Sequence, residues 1–400
     1  MREPKPVTRV ELSEKNNKLR WIAVIALLVI GAVGITTGIM SALGKDSGWQ
    51  QVQAYTQERN CSDSILLRYN FTGSGAEASG RNKVLEQLYS DGCVKAYQLF
   101  TPDEGFDDVQ NVYYVNHHPN EVIPVDPVLY AAFEKLEGTR HLYLGPAYAY
   151  YSSLIYSTEE AMLEQMDPSV SEEAKAYVAK IAEFAADESA VRLELLGNHQ
   201  VKLHVSDAYL EFAETEEIDT FIDFAYMTNA FIVDYFAQLL TEKGLTQGYL
   251  VSADGFTRNL DSSNTFSFNI YDRVERTAYQ AGVLHYNGPI SMVFLKDYPT
   301  AASDVNYRRN GERYLNLFVD PADGICRTSV KNLVSYSYDG DCVDVMLRIL
   351  PNFIGDSFTV PEGVFSVWCQ DGVIYYNDEA VSIQKLLRDG DISYRAELEK

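Results

Sequence analysis

Positive charge is scarce in this sequence. Its 33 lysines and arginines face 57 aspartates and glutamates, a formal net charge of −24 over 400 residues. Such a surface repels polyanions, and no local basic run offsets it, which argues against nucleic acid as a partner. Familiar catalytic signatures are missing too: there is no G-x-S-x-G and no H-E-x-x-H. The glycine-rich stretch Phe71–Gly80 is not followed by Gly-Lys-Ser/Thr, so it reads as flexible loop and not as a phosphate cradle. Cysteines number five and none are spaced C-x-x-C, which removes the common zinc arrangement. Of the six histidines, His117 and His118 are adjacent in a polar stretch. Neighbours on an extended chain point apart, so the pair reads as surface loop and not as a shared metal site.

What is present starts with a polar tail, residues 1–20, carrying Arg2, Lys5, Arg9, Lys15, Lys18 and Arg20. Residues 21–43 follow as an apolar run of about twenty residues without a charge, enough to span a bilayer core at ~1.5 Å per residue. The basic flank places the tail in the cytoplasm and residues 44–400 outside, so the chain is expected to be a single-pass protein of the cell membrane. A cleaved signal peptide competes, because Ser41-Ala42-Leu43-Gly44 is rich in small residues. The length of the run favours a retained anchor, and no Cys follows it to carry a lipid. All five cysteines lie beyond it, where disulfides persist. Sequence neighbours suggest Cys61 with Cys93 and Cys326 with Cys342, leaving one over; five reduced, buried thiols are the other reading.

The remainder reads as α/β or α+β. Ile232, Phe236, Leu239 and Leu240, widened by Val233 and Ala237, make one face of a helix that Thr228 can cap and Gly244 can end. A short apolar strand, Gly248–Ser252, follows and stops at Asp254-Gly255. Before this unit, helices are expected over residues 81–92 and 125–138, a strand at Val112–Asn116, two helical segments meeting at Asp167-Pro168, and a hairpin around Gly197-Asn198. After it come strands over 266–274, two around Asn287-Gly288, a hairpin turn at Asn310-Gly311, a strand at Tyr314–Val319, a strand-to-helix passage at 339–350 and a closing hairpin around Asp371-Gly372. The 28 tyrosines fit half-buried strand surface.

The order of these landmarks resembles the ApbE-like FAD:protein FMN transferases, envelope enzymes that move FMN from FAD onto a Thr or Ser of a partner protein. The family's hydrophobic-Asp pair, Lys-Gly and helical Asp are similar to Ile222-Asp223, Asn229-Ala230 and Val233-Asp234. Its strand ending in Gly-Gly resembles Tyr249–Gly255, and its Thr-Ser-Gly-Asp resembles Ala301–Asp304. Its later Gly, Tyr, His and Asp-Pro-x-x-Gly resemble Gly311, Tyr314, Asn316 and Asp320–Gly324, and its Asp-Ala-x-x-Thr resembles Asp341–Val345. The match covers residues 110–350. It implies a two-lobed domain of mixed or antiparallel sheets with flanking helices, with FAD as substrate and Mg²⁺ as cofactor. It further implies cofactor contacts at Asp223, Asn229, Asp254, Gly255 and Asp320, metal contacts at Asp341 and Asp344, and Asp304 and Asn316 as catalytic candidates.

Three of the resembling positions depart from the pattern. Asn229 stands where the family has its Lys, Asn316 where it has its His, and Val345 where it has the metal-binding Thr. The family's Phe-Asp-Pro-Thr is not recognisable at Tyr143–Pro146. Phosphoryl transfer depends on positioning and on neutralising developing charge, so these losses imply the fold without its usual chemistry. The expected protein is then a non-catalytic module binding flavin, nucleotide or an envelope protein. The alternative is an active FAD:protein FMN transferase with a rearranged Mg²⁺-dependent site using Asp304, Asp341 and Asp344. The simplest reading of Asp339, Asp341 and Asp344 is a solvated turn and a helix N-cap.

Overall fold

The apolar stripe through Ile232, Phe236 and Leu240 forms the helix Thr228–Glu242 in a computed structural model of the protein, which describes residues 47–302, 304–384, 386–389 and 392–399. Gly244 ends it at φ +68°, with the Leu245 N–H returning to the Leu240 carbonyl at 2.8 Å. Thr228 is not its cap. A 3-10 turn, Ala225–Met227, feeds directly into the helix, and Met227 is already in the right-handed helical region, which removes the extended backbone a capping hydroxyl needs. The expected anchor at 21–43 and the tail before it lie outside the described residues. Among the described residues no helix is long and apolar enough to cross a membrane.

Contacts divide the described residues into two units, 47–48 with Phe71–Val84, and Trp49–Asn70 with Leu85 onward. In the first, the Glu77 carboxylate accepts from the Ser74 N–H (3.0 Å) and hydroxyl (3.1 Å). The chain is therefore helical from Gly75, and the glycine-rich loop expected over Phe71–Gly80 gives way to the start of the helix Gly75–Phe100.

The second unit is built on a nine-stranded sheet whose order in space is its order in the chain: Gly48–Val52, Ile65–Phe71, Gly248–Ser252, Phe256–Asn259, Ile290–Lys296, Asn332–Ser337, Phe365–Gln370, Val373–Tyr376 and Arg395–Leu398. Pairing from Ile65–Phe71 to Val373–Tyr376 is antiparallel, and the last strand joins parallel. Strand Ile290–Lys296 is buried at all seven positions. Both its faces are therefore covered. The helices Thr228–Glu242 and Cys342–Phe353 pack against it and its neighbours. A separate apolar cluster joins Ile290, Met292 and Phe294 to Ile270 and Leu284 of the three-stranded sheet Thr265–Val274, Thr277–Asn287 and Ser382–Gln384. Helices Gly145–Tyr156 and Glu172–Ala186 bury Tyr148, Tyr151, Val178 and Ile181 with Leu315 in another core. The architecture is mixed α/β.

Local context overrides propensity in two further places. Val112–His117 is a helix and not a strand: the Asn111 side chain accepts the Tyr114 N–H, and Val112, Val115 and Asn116 face inward at helical spacing. His117 and His118 consequently end a helix, stacked on Tyr113 and Tyr114 at 3.8 and 3.9 Å. The strand expected at Tyr314–Val319 is confined to Arg313–Leu315, because Asn316 folds its carbonyl oxygen onto the Phe318 N–H at 2.9 Å and turns the chain. The turn after Gly248–Ser252 is fixed by close approach. Gly255 has φ +107°, and a Cβ there would lie 2.2 Å from the Phe294 carbonyl oxygen. Gly255→Ala should therefore lower unfolding stability by about 2–3 kcal/mol, read as a shifted urea midpoint at unchanged slope.

Candidate functional site

The 3-10 turn, the start of the helix it feeds, the Gly255 turn and the segment after Arg313–Leu315 enclose a cavity of about 300 Å³. It is lined by Asp103, Asp223, Tyr226, Asn229, Asp254, Phe256, Asn306, Tyr307, Asn316 and Phe318, among others. Four residues singled out by the resemblance, Asp223, Asn229, Asp254 and Asn316, thus meet in one place although they span almost a hundred residues of chain.

Each is held by a specific partner. Asp223 accepts the Ala225 N–H at 2.7 Å, and Ala225 itself sits at φ +46°, a conformation alanine adopts at a cost. Asn229, in the first helical turn, receives the Ser64 hydroxyl at 3.3 Å. Asp254 receives the Ser252 hydroxyl at 2.5 Å, and the same hydroxyl accepts the Phe256 N–H at 2.9 Å. Asn316 is buried, its oxygen shared by the Phe318 N–H and the Cys326 thiol at 2.9 and 3.1 Å. Tyr226 packs edge-on against Phe318 with ring centres 5.1 Å apart and reaches His141 Nδ1 at 3.2 Å. Burial pulls His141 down to about 4, so at neutral pH this imidazole is uncharged.

The cavity is electronegative. Burial raises Asp223 to about 6, the Asp103 carboxylate adding to it, and burial also raises Asp254. Among the described residues no Lys, Arg or His lines it. Lys296, whose charge acts on Asp254, is committed: its ammonium holds Asp304 at 2.7 Å, where the Thr300 N–H (2.7 Å) and hydroxyl (3.0 Å) converge on the same oxygen. Burial opposes ionisation of Asp304, but these partners outweigh it and hold the group below the usual carboxylate range. Asp304 and Asp320 do not line the cavity; Asp320 caps its own turn through the Ala322 N–H at 2.9 Å and faces Arg327. Gly255 contributes the turn that places Asp254.

Asp341 and Asp344 stand apart from this cavity. They form a reciprocal capping box at the start of Cys342–Phe353, and Lys135 bonds both, reaching Asp344 at 3.0 Å. Asp341 lines a different pocket of about 500 Å³, shared with Lys135, Asp234 and Arg258. Val345 is fully buried. A divalent ion needs several converging oxygens. Among the described residues no group of three His, Cys, Asp or Glu could supply them, and the two carboxylates present already have an ammonium. These residues do not fit Mg²⁺, nor does a cation-free acidic cavity fit a pyrophosphate.

Several lining residues were not singled out from the sequence. Asp103, Asn306 and Tyr307 reach the cavity from loops, and Tyr226 from the 3-10 turn Ala225–Met227, with no distinguishing sequence signal. Asp234 was part of the matched pattern, and the structure adds its role: it accepts the Cys342 and Val343 N–H groups, at 3.0 and 2.9 Å. A carboxyl with a raised folded pKa contributes stability that is present below its unfolded value of 3.8 and lost as the pH rises through about 6, as for Asp223. Asp223→Asn keeps an oxygen for Ala225 and removes the charge. The variant should be more stable than the parent above about pH 6, by about 1–2 kcal/mol, with the difference fading below about pH 4 in a pH series of urea midpoints.

No family model matches the sequence, and no curated protein matches it. Solved structures do. The flavin transferase ApbE of Vibrio cholerae shares 11% identity over 85% of this chain and 98% of its own, with a TM-score of 0.53. An ApbE protein of Thermotoga maritima shares 12% identity over 84% of this chain and 97% of its own, at a TM-score of 0.48. The Vibrio structure carries the comparison, and with it this chain has an ApbE-like flavin transferase fold.

Proposed function

We propose that the protein is a membrane-anchored, envelope-facing ApbE-like module that binds a ligand in the Asp223–Asp254 cavity without transferring FMN. The observation that carries the reading is the charge of that cavity: three carboxylates, three Asn amides and aromatic walls, with no lining cation among the described residues. FMN transfer from FAD cleaves a pyrophosphate, and the charge that develops needs fixed positive groups or a metal. Here the candidate metal carboxylates are held by Lys135, and Asn229 and Asn316 offer dipoles where the resemblance has a Lys and a His. Asparagine amides and tyrosine rings suit hydrogen-bonding aromatic groups, so the module takes the uncharged ring part of a flavin or nucleotide, or an aromatic side chain of an envelope protein.

Incubation of the full chain with FAD, Mg²⁺ and a Thr-containing acceptor protein should release no AMP above the protein-free control by chromatography. AMP release together with a flavin-labelled acceptor would restore the transferase reading.

The anchor is supported by the uncharged run at 21–43 and its basic flank. Protease added to intact cells should degrade the 44–400 region and spare the tail. Resistance of the whole chain until the membrane is opened would reverse the orientation.

A further inference from the structure

Two cysteines from different elements lie side by side next to the cavity wall, and the proposed function does not use them. Cys61 sits in the tight turn that leads into Ile65–Phe71; its carbonyl accepts the Ser64 and Ile65 N–H groups at 3.0 and 3.2 Å. Cys93 lies inside Gly75–Phe100 and is fully buried. The Cys61 N–H donates to the Cys93 carbonyl at 3.3 Å, and the Cys61 thiol feels the Cys93 thiol beside it. A main-chain bond between two residues brings their α-carbons into the range a disulfide spans. One helical turn before Cys93, Tyr89 donates its hydroxyl to the Ile65 carbonyl and packs against Phe236 with ring centres 5.3 Å apart. Helix and turn are therefore pinned at two levels, which leaves the thiols little freedom to part.

The other three thiols have no such neighbour. Cys326 donates to Asn316 Oδ1 at 3.1 Å, Cys342 to the Thr257 carbonyl at 3.3 Å and Cys369 to the Tyr271 carbonyl at 3.7 Å. The pairing of Cys326 with Cys342 suggested by sequence order is thereby set aside: the two sit on different partners in different parts of the core.

We propose that Cys61 and Cys93 are a disulfide-forming pair that staples the turn behind the cavity. The reaction is thiol–disulfide exchange with a small or protein disulfide. One thiolate attacks that disulfide and releases a thiol, and the second thiolate displaces the remaining half; two protons and two electrons pass to the oxidant, which leaves as two thiols. The Cys93 thiol and burial both raise Cys61 above its ordinary pKa, so the folded Cys61 thiol is a poor nucleophile. Exchange consequently precedes final packing, as the chain emerges into an oxidising compartment.

The staple bears on the cavity. The same turn gives the Ser64 hydroxyl to Asn229, and the Ser64 carbonyl receives the Ala253 N–H at 2.8 Å, beside Asp254. Fixing Cys61 fixes the turn that supports two lining residues.

The test is refolding of the full chain in detergent with oxidised and reduced glutathione, followed by alkylation under denaturing conditions and peptide mapping by mass spectrometry. The expected result is one linked peptide joining Cys61 to Cys93, with Cys326, Cys342 and Cys369 alkylated. Five alkylated thiols in protein with native circular dichroism, or a link through any other pair, would overturn it. Cys93→Ser should give no internal link; a link formed in that variant would also overturn it. The experiment is done outside the cell, so a negative result sinks the disulfide and leaves the proposed location standing, and an inverted orientation leaves the chemistry of the pair intact.

Discussion

The fold depends on one carboxylate that two helices share. Asp234, on Thr228–Glu242, accepts both the Cys342 and Val343 N–H groups at the start of Cys342–Phe353. Those are orphan donors at a positive helix end, where an anion is favoured. Burial and the Asp341 charge nevertheless push Asp234 up to about 7, so the contact is made against a desolvation cost. The loop before the second helix is held from the other side, where Arg258 and the Ser291 hydroxyl both bond the Gly340 carbonyl, at 2.7 and 2.6 Å. With both flanks fixed, Asp341 is set toward Lys135.

That arrangement separates two regions which the resemblance would merge. The cavity at Asp223, Asn229, Asp254 and Asn316 has acceptors and aromatic walls but no lining cation. The Asp341 region has two cations, but Lys135 is spent on the two carboxylates beside it and Arg258 bonds the Gly340 carbonyl. Against a net charge of −24, an anionic ligand would meet repulsion at long range and, among the described residues, no cation lining the cavity. A neutral ring bearing hydrogen-bond donors and acceptors meets neither obstacle.

Several elements were legible because their signals are local. The stripe at Ile232, Phe236 and Leu240, the stop at Gly244, and the turn at Asp254-Gly255 each follow from spacing or from glycine chemistry, and the structure has them where the spacing puts them. Misread elements were decided by side chains acting on backbone a few residues away. Asn111 turned Val112–His117 into a helix, Glu77 started one at Gly75, and Asn316 cut a strand short. Such bonds compete with propensity, and two of these side chains, Asn111 and Asn316, are buried, which sequence does not display.

By itself the sequence determined the charge imbalance, the uncharged run at 21–43, the apolar faces of the main helices and the order of landmarks, since composition and period suffice for these. Only tertiary structure decided which polar residues share a cavity, that Lys135 occupies Asp341 and Asp344, and that Cys61 meets Cys93 while Cys326 and Cys342 stay apart. The physical reason is that hydrogen bonds and ion pairs act over a few ångströms, and which groups come that close is fixed by packing of segments far apart in the chain.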